Sequence, residues 1–374
     1  MTSAANARTD EGGTDAPAAG LTVRSYEPGD AEAWDDLVRR SCNGTFLHTR
    51  RFLSYHGDRF ADRSLILEDR RGHVRGVFPA AVGPDGQETI VSHPGLTYGG
   101  LVHDGTVLGM SMIAALQAIA DHYQQLGYIR LRYKAVPAIY HSVPADDDLY
   151  ALFRLGAIRY RSDLSAAIDI SHRGKVSKRR IRSRKTSAAA SVSISDNWNE
   201  VAGFWRILEA NLADRHDTSP VHSLQEIKLL HDLFTEEILL ITARIDGALV
   251  GGTVLFAAGP TLHMQYTATT LRGRAACATD MVMERAIDLA RHRGHRYFDF
   301  GPSTPDEGWY LDEGLYQFKV SFGAGGVIHD HYELDLRDRC GGLEPRVVGV
   351  SQPRLRRQGP GLNGDLSHRA KTSS

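Results

Sequence analysis

The feature that most constrains the fold of this chain is an internal repeat of one arrangement of elements. Residues 64–82 (SLILEDRRGHVRGVFPAAV) predict two strands joined by a glycine turn, and residues 239–258 (LLITARIDGALVGGTVLFAA) predict the same arrangement later in the chain. Four glycines match between the copies: Gly72 with Gly247 in the turn, and Gly76 with Gly251 at the start of the next strand. The chain is therefore expected to fold as two similar units in succession.

Each copy continues with a third strand, a helix and a further strand. The third strands are predicted at 88–100 (ETIVSHPGLTYGG) and 261–270 (TLHMQYTATT). The helices that follow end at Gly127 and Gly294, as expected for a residue just past a helix C-terminus. The apolar stretches YIRLRYKAV and RYFDFGPS then predict the last strand of each copy. This β-β-β-α-β order predicts a mixed α/β (α+β) fold with two tandem domains, each a mixed central sheet flanked by helices.

The domain boundaries follow from this repeat and from the composition of the two ends. We expect a disordered arm at 1–20, a first domain at 21–160, a second domain at 161–326 and a disordered basic tail at 337–374. The alternating stretch VIHDHYELDL at 327–336 predicts a strand between the second domain and that tail.

The overall composition is that of an ordinary globular protein. The formal net charge of −1 excludes a basic footprint over the whole surface, so any contact with nucleic acid has to be local. The 3 cysteines, Cys42, Cys277 and Cys340, contain no CxxC pair and suit a reducing compartment. The N-terminal residues do not resemble a signal peptide, and no apolar run is long enough to span a bilayer. These features predict a cytoplasmic protein without a membrane span.

A single lysine lies within an apolar helical pattern in the stretch DEGLYQFKVSFG at 312–323. Leu315, Phe318 and Phe322 share one helix face, and Lys319 lies at the edge of that face. A lysine at this position either extends along the hydrophobic surface to reach water or directs its charge into a cleft.

The order of elements resembles the GNAT acyltransferase fold, and its doubling resembles the Fem-type (FemAB-like) aminoacyltransferases. The local matches are MQYTAT, YFDFG and GLYQFKVSFG in the second half, with SCNGTFLHTRRFLSYHGDRF and SHPGLTYGG in the first. The resemblance implies that the strand at 327–336 returns to the first domain. It also implies acyl transfer from aminoacyl-tRNA to an amine, without ATP or a metal.

In a sheet of the GNAT type, two neighbouring strands separate near their middle, and the substrates enter the notch between them. That arrangement predicts a cleft around five residues: Gln265, Tyr266, Asp299, Ser303 and Thr304. Asp299 is a candidate to accept a hydrogen bond from the incoming amine, although an aspartate at a strand end also commonly caps a loop. Tyr266 is a candidate catalytic residue or a buried tyrosine of the core. Tyr98 and Arg215 are further candidates for substrate contact.

Lys319 matches the lysine that the Fem-type resemblance places in an F-K-x-x-F context beside the cleft. Aminoacyl transfer passes through a tetrahedral oxyanion, which a fixed cation stabilises better than it stabilises the ester. The same lysine is equally suited to holding the ribose-phosphate end of the donor. We therefore predict a catalytic group of Lys319, Asp299 and Tyr266, with no metal ligand and no covalent nucleophile.

The donor is predicted from two stretches. A CoA-dependent GNAT enzyme uses a glycine-rich turn of the form [Arg/Gln]-x-x-Gly-x-[Gly/Ala] to hold the pyrophosphate. The matching stretch, LRGRAACATD, has Arg272 but carries Ala275 and Cys277 at the two small positions. This departure disfavours CoA, although it leaves acetyl-CoA or another acyl-CoA as the alternative donor.

The second stretch, SHRGKVSKRRIRSRK at 171–185, is the strongest basic cluster of the chain. As a helix it is expected to carry charge all round its axis, which fits either a solvated face or contact with the tRNA backbone. The predicted tRNA contacts are Lys175, Lys178, Arg179, Arg180, Arg182, Arg184 and Lys185.

The sequence thus favours an aminoacyltransferase whose acceptor is a cell-wall precursor or a small secondary metabolite with a free amine. The alternatives are an acyl-CoA-dependent N-acyltransferase acting on an amino sugar or another small amine, and a binding module that retains the scaffold without catalysis. The sequence does not predict the oligomeric state.

Overall fold

The structure, a computed structural model, describes residues 20–84, 86–216 and 218–337. The first half contains strands β1 (Thr22–Ser25), β2 (Leu65–Glu68), β3 (Val74–Phe78), β4 (Ala81–Val82), β5 (Thr89–Val91), β6 (Val102–His103) and β7 (Arg130–Lys134), with helices α1 (Ala31–Arg40), α2 (Arg50–Leu53), α3 (Met110–Gln125) and α4 (Asp147–Arg154). The predicted disordered arm and tail lie outside the described residues apart from Gly20 and Arg337, and so does Cys340.

The second half begins with a long strand and ends with one. It contains strands β8 (Ile158–Asp169), β9 (Ser193–Ser195), β10 (Ile238–Ile245), β11 (Ala248–Ala258), β12 (Thr261–Thr269), β13 (Tyr297–Pro302) and β14 (Gly325–Asp335), with helices α5 (Lys178–Ala189), α6 (Val201–His216), α7 (Leu224–Leu233), α8 (Leu271–Ala275), α9 (Ala278–His292) and α10 (Glu313–Val320). Among the described helices, none combines the length and apolar character that crossing a membrane requires.

The strands form two sheets. A small sheet has the order β1-β2-β3-β6, and a ten-stranded mixed sheet has the order β4-β5-β7-β14-β8-β13-β12-β11-β10-β9. Strand β14 pairs antiparallel with β7 on one side and with β8 on the other, so it joins strands of the two halves. The mixed α/β fold class is confirmed. The described residues form one compact unit, and the boundaries at 160 and 326 stay predictions.

The repeat is confirmed at its turns and helix ends. Gly72 and Gly247 have φ of 76° and 77°, and Gly127 and Gly294 have φ of 87° and 78°. This left-handed backbone is accessible to glycine without the steric cost that a Cβ imposes. In both copies the last strand runs parallel to a strand before the helix, β7 to β5 and β13 to β12.

The third strand of the first copy is wrong in extent. A strand was expected over 88–100, whereas β5 ends at Val91. His93 follows with φ of 62°, and Pro94 has no N–H to continue the ladder. The sheet of the first half is consequently divided between the two sheets of the protein, with β2 and β3 in one and β4, β5 and β7 in the other.

Three clusters of buried apolar side chains hold these layers together. Helix α3 packs over one face of the first half through residues such as Ile113, Leu116 and Ile119. Helix α9 packs over the second half in the same way. The third cluster joins side chains of both halves, and it covers the opposite face of the central strands from α9. That shared face carries the candidate site.

Candidate functional site

The predicted notch lies between strands β12 and β13. These parallel strands pair over only three residues each, and the last pair is His263 with Asp299. Strand β12 continues to Thr269 without β13 beside it. Its register against β11 shifts at Val254, which leaves Gln265 as the extra, bulged residue. The two strands therefore separate at the point where the polar residues begin.

Asp299 lies at this point and is fully buried. Its Oδ2 accepts hydrogen bonds from the Tyr140 hydroxyl at 2.7 Å and from His263 Nδ1 at 2.8 Å. Its Oδ1 accepts from Ser165 Oγ at 2.5 Å and from the N–H of Gly301 at 3.1 Å. Both oxygens are thus occupied by protein groups, so the carboxylate is placed to hold its neighbours and not to receive an amine directly.

The electrostatics of this carboxylate favour its charged form. Burial by itself raises the pKa of Asp299. The hydrogen bond from His263, the attraction of His263 and His329 in their protonated forms, and the hydrogen bond from Ser165 outweigh this effect and hold the pKa well below its usual range. Asp299 is therefore an anion inside the protein, stabilised by several donors at once.

His263 is absent from the residues that the sequence predicts for the site. It directly precedes the MQYTAT stretch, and its side chain is 10% exposed. Because Asp299 and Tyr140 both lie within 3.1 Å of its Nδ1, that nitrogen is fully engaged. No described residue forms a hydrogen bond with its Nε2.

Lys319 is buried, with 2% of its surface exposed. Its Nζ donates to the carbonyl oxygens of Gly301 and Pro302, each at 2.7 Å. The chain therefore directs this charge inward to the end of β13 and not along the surface to water. Burial lowers the pKa of Lys319 to about 8, against the opposing effect of the Asp299 and Asp312 carboxylates.

Gly301 connects these two charged groups. Its N–H donates to Asp299, and its C=O accepts from Lys319. The anion and the cation are thus separated by one residue of backbone at the end of β13.

A second lysine, which is partly buried, has a similar arrangement in the first half. Lys134 ends β7, and its Nζ donates to the carbonyl oxygens of His93 and Leu96. Burial lowers the pKa of Lys134 to about 7.

The remaining predicted residues divide between three places. Tyr266 hydrogen-bonds His222 Nδ1 at 2.6 Å, and burial raises the pKa of its hydroxyl to about 12. Gln265, in the bulge beside it, is partly buried. His222 Nε2 also contacts the Tyr55 hydroxyl at 3.1 Å, so this group ties the first half to β12.

Ser303 and Thr304 follow β13, and Thr304 Oγ1 donates to Asp163 at 3.1 Å. The Ser303 hydroxyl is buried without a hydrogen-bond partner among the described residues. Tyr98 is buried, donates to Thr45 at 3.3 Å and packs against Tyr140 with ring centroids 4.5 Å apart.

Arg215 belongs to α6, but its side chain lies outside the described residues. Within the described part of the chain, no three His, Cys, Asp or Glu side chains gather as potential metal ligands.

The basic cluster forms helix α5, capped by the Ser177 hydroxyl. One member, Arg180, is buried: it donates to Asp280 at 2.6 Å and to Ser321 Oγ at 2.8 Å, and its guanidinium lies over the ring of Phe318. Arg180 thus fixes α5 against α9 and α10 and is not presented to solvent. The prediction that charge surrounds the whole axis of this helix is therefore wrong on the side that packs against α9 and α10.

The other predicted basic residues are exposed: Lys175, Lys178, Arg179, Arg182, Arg184 and Lys185. Lys178, Arg182 and Lys185 are spaced i, i+4 and i+7, which places them on one face, opposite the buried one. We call these three residues the basic stripe. Arg184 pairs with Glu284 at 2.8 Å, whereas no ion pair occurs to the stripe among the described residues.

The turn at α8 differs from a phosphate-binding loop. Helix α8 is capped by Thr270, whose hydroxyl accepts the N–H of Gly273. The N–H groups of Arg274, Ala276 and Cys277 donate to carbonyl oxygens of the same turn. Cys277 has φ of 54°, the conformation for which glycine is favoured. These four amides are therefore already hydrogen-bonded and are not free to hold a pyrophosphate.

Comparison with known proteins agrees with this geometry. Residues 171–319 match the family model described as an acetyltransferase (GNAT) domain. FemX superposes with a TM-score of 0.60 at 13% identity, over 83% of this chain and 97% of FemX. The C-terminal domain of a putative lysylphosphatidylglycerol synthetase from Agrobacterium fabrum has a TM-score of 0.52 at 11% identity, over 82% of this chain and 92% of that one. L-PGS from Bacillus licheniformis has a TM-score of 0.52 at 11% identity, over 84% and 93%. No curated protein matches the chain.

Residues 171–319 therefore match a GNAT acetyltransferase domain. The chain shares its fold with FemX, so the resemblance predicted from the sequence is confirmed at the level of the fold.

Proposed function

We propose that this protein transfers an aminoacyl group from aminoacyl-tRNA to an amine and so forms an amide. The observation that carries this choice of donor is the α8 turn. A CoA pyrophosphate needs free backbone N–H groups at that turn, and those of Gly273, Arg274, Ala276 and Cys277 are hydrogen-bonded within it.

The basic stripe supports the same donor. The net charge of the protein is −1, yet one helix face carries three exposed cations that form no ion pair with the residues the structure describes. Helix α5 adjoins the site, because the N–H of Ser177 donates to the carbonyl oxygen of Ser321, which directly follows α10. A phosphate backbone bound along the stripe would therefore bring the end of an RNA towards Lys319.

The reaction requires no ATP. The amine nitrogen attacks the ester carbonyl carbon, the bond from that carbon to the ribose oxygen breaks, and the ribose hydroxyl leaves with a proton. Lys319 supplies a fixed charge next to the developing oxyanion, in a site with little water. Because the ester is already activated, orientation of the two reactants and this stabilisation account for most of the required catalysis.

The acceptor class that fits the Fem-like fold is an amine of a cell-wall precursor or of a small secondary metabolite. FemX and the two synthetase structures share the fold at 11–13% identity, which does not extend to their substrates.

An acyl-CoA donor is the second candidate. A cavity of about 390 Å³ adjoins the α8 turn, and the side chains of Arg206 and Arg274 line it. Two guanidinium groups there offer charge for a pyrophosphate in place of backbone amides.

We expect the triple variant Lys178→Gln, Arg182→Gln, Lys185→Gln to bind charged tRNA at least about 10-fold more weakly, because each lost phosphate contact removes a counterion-release contribution. The slope of log affinity against log salt should decrease by about 2, since each contact contributes roughly 0.7–0.9. A mobility-shift titration at two salt concentrations measures both quantities. Arg180 is excluded from the set because it is buried.

The matched control is Arg70→Gln, Arg71→Gln, Arg154→Gln, which removes the same charge from exposed positions of the first half. This control should keep the wild-type affinity. Equal losses in both triple variants would show that only overall charge matters. Binding of acetyl-CoA with no binding of tRNA would replace the proposed donor by acyl-CoA.

A further inference from the structure

We propose that His263 is the general base that accepts the proton of the attacking amine, and that Asp299 is the residue that positions it. The inference rests on the acyl transfer proposed above, but it does not depend on which of the two donors is used.

The hydrogen bonds define the protonation state of the imidazole. Asp299 is a buried anion, and its Oδ2 lies 2.8 Å from His263 Nδ1, so that nitrogen carries the proton in the neutral ring. The lone pair of the neutral ring is then on Nε2, which has no hydrogen bond to any described residue. A histidine oriented in this way by a buried carboxylate accepts a proton at Nε2 and is stabilised by the carboxylate once it is charged.

The position of His263 in the sheet fits this role. It forms the last paired position before β12 and β13 separate, so its side chain lies at the closed end of the notch. Gly301, on the facing strand, has φ of 77°, and a Cβ there would lie 3.4 Å from His263 Cε1. The same glycine accepts the hydrogen bond of Lys319. The proposed base and the oxyanion-stabilising cation thus both lie next to Gly301.

Several charged or titratable groups surround the imidazole from the neighbouring elements. Asp299 lies on β13, Tyr140 precedes α4, His329 lies on β14 and Lys319 lies on α10. Burial lowers the pKa of His329 and raises that of Tyr140 well above 10, so both are neutral at pH 7. The charge in contact with His263 is therefore the Asp299 carboxylate.

The proton of the amine passes through His263 to the leaving group, so the step is balanced. Nε2 takes it from the amine nitrogen as the bond to the carbonyl carbon forms. The resulting imidazolium returns it to the leaving ribose oxygen, or to the leaving sulfur of a thioester, as the bond from carbon to the leaving group breaks.

The test is the pH dependence of kcat/KM for His263→Gln, measured with charged tRNA and, separately, with acetyl-CoA, and with a panel of small amines as acceptors. Wild type should show an acidic limb that reports protonation of the base. His263→Gln should lose about 100-fold in kcat/KM at pH 7 and lose the acidic limb, with unchanged binding of tRNA. Asp299→Asn should keep the fold and also lose that limb, because an amide favours the other tautomer. His331→Gln is the control: it changes another buried histidine on the same sheet and should keep the wild-type profile.

A His263→Gln enzyme within about threefold of wild type, with its acidic limb intact, would overturn the role of His263 and leave the proposed function standing. Turnover with acetyl-CoA alone, with the limb lost in His263→Gln, would overturn the tRNA donor and support the base. A comparable loss of the acidic limb in His331→Gln would show that the limb reports folding, and would overturn the proposal. The absence of turnover by wild type with both donors would also overturn it.

Discussion

Replacement of Lys319 by methionine is expected to lower kcat for acyl transfer about 100- to 1,000-fold, with a smaller change in KM. Lys319 Nζ lies 2.7 Å from two carbonyl oxygens at the end of β13, in a site with almost no exposure. A positive charge held there stabilises the transition state more than the ground state, because the oxyanion develops only in the transition state. Single-turnover rates for the wild type and the variant measure the effect.

The dependence of the single-turnover rate on pH gives a second test of the role of Lys319. Because the pKa of Lys319 is lowered to about 8, the wild-type rate should decline as the pH rises through that value and the ammonium loses its proton. The variant should lack this decline.

Lys134→Met is the matched control for the loss of a lysine that donates to backbone carbonyl oxygens. Lys134 also donates to two backbone carbonyl oxygens, and its pKa is also lowered, to about 7. We expect this variant to lose folding stability and to retain the kcat of the wild type for the fraction that is folded. If both variants lose kcat in proportion to their loss of folded protein, Lys319 has a structural role and no catalytic one.

The free energy of unfolding is expected to decrease by several kcal/mol between pH 7 and pH 5. Burial lowers the pKa of several histidines, and in four of them the shift is large: His48 and His222 to about 4, and His93 and His331 to about 3. In the unfolded chain these groups titrate near pH 6.5. The unfolded state therefore binds more protons below that pH, and the stability present above pH 6.5 is lost as the pH falls.

The size of the loss follows from the same values. Each histidine contributes about 1–2 kcal/mol by pH 5. Asp148 acts in the opposite direction, because burial raises its pKa to about 6 and the folded state then takes up its proton first. The net loss is on the order of 5 kcal/mol, comparable with the whole stability of many domains.

Urea unfolding at pH 7, 6 and 5 measures this dependence. His48→Gln should reduce the slope of stability against pH by about one proton, or about 1.4 kcal/mol per pH unit, whatever its effect on stability at pH 7. His172→Gln, at an exposed position, should leave the slope unchanged. A flat dependence from pH 7 to pH 5 would show that these histidines are not buried in the neutral form.

The sequence was sufficient for the features that depend on local backbone and on periodicity. Turn and C-terminal glycines reveal the repeat because Gly72, Gly127, Gly247 and Gly294 all need φ values that other residues adopt at a cost. The apolar spacing around Lys319 also indicated that its charge lies at the edge of a packed face, and the residue proved to be buried. The third strand of the first copy was extended too far, although His93 and Pro94 follow its real end.

The tertiary structure decided which of the predicted groups meet. His263 and Asp299 are 36 residues apart in sequence. They become partners only because β12 and β13 pair in parallel register, which no local pattern encodes. From the sequence alone, Arg180 is one more cation of a basic helix. In the structure, packing against Asp280 and Phe318 buries it and leaves the basic stripe on the opposite face. Periodicity and turn residues are local properties of the backbone, so sequence determines them directly, whereas burial and pairing of charges depend on contacts across the sheet that form only when the chain has folded.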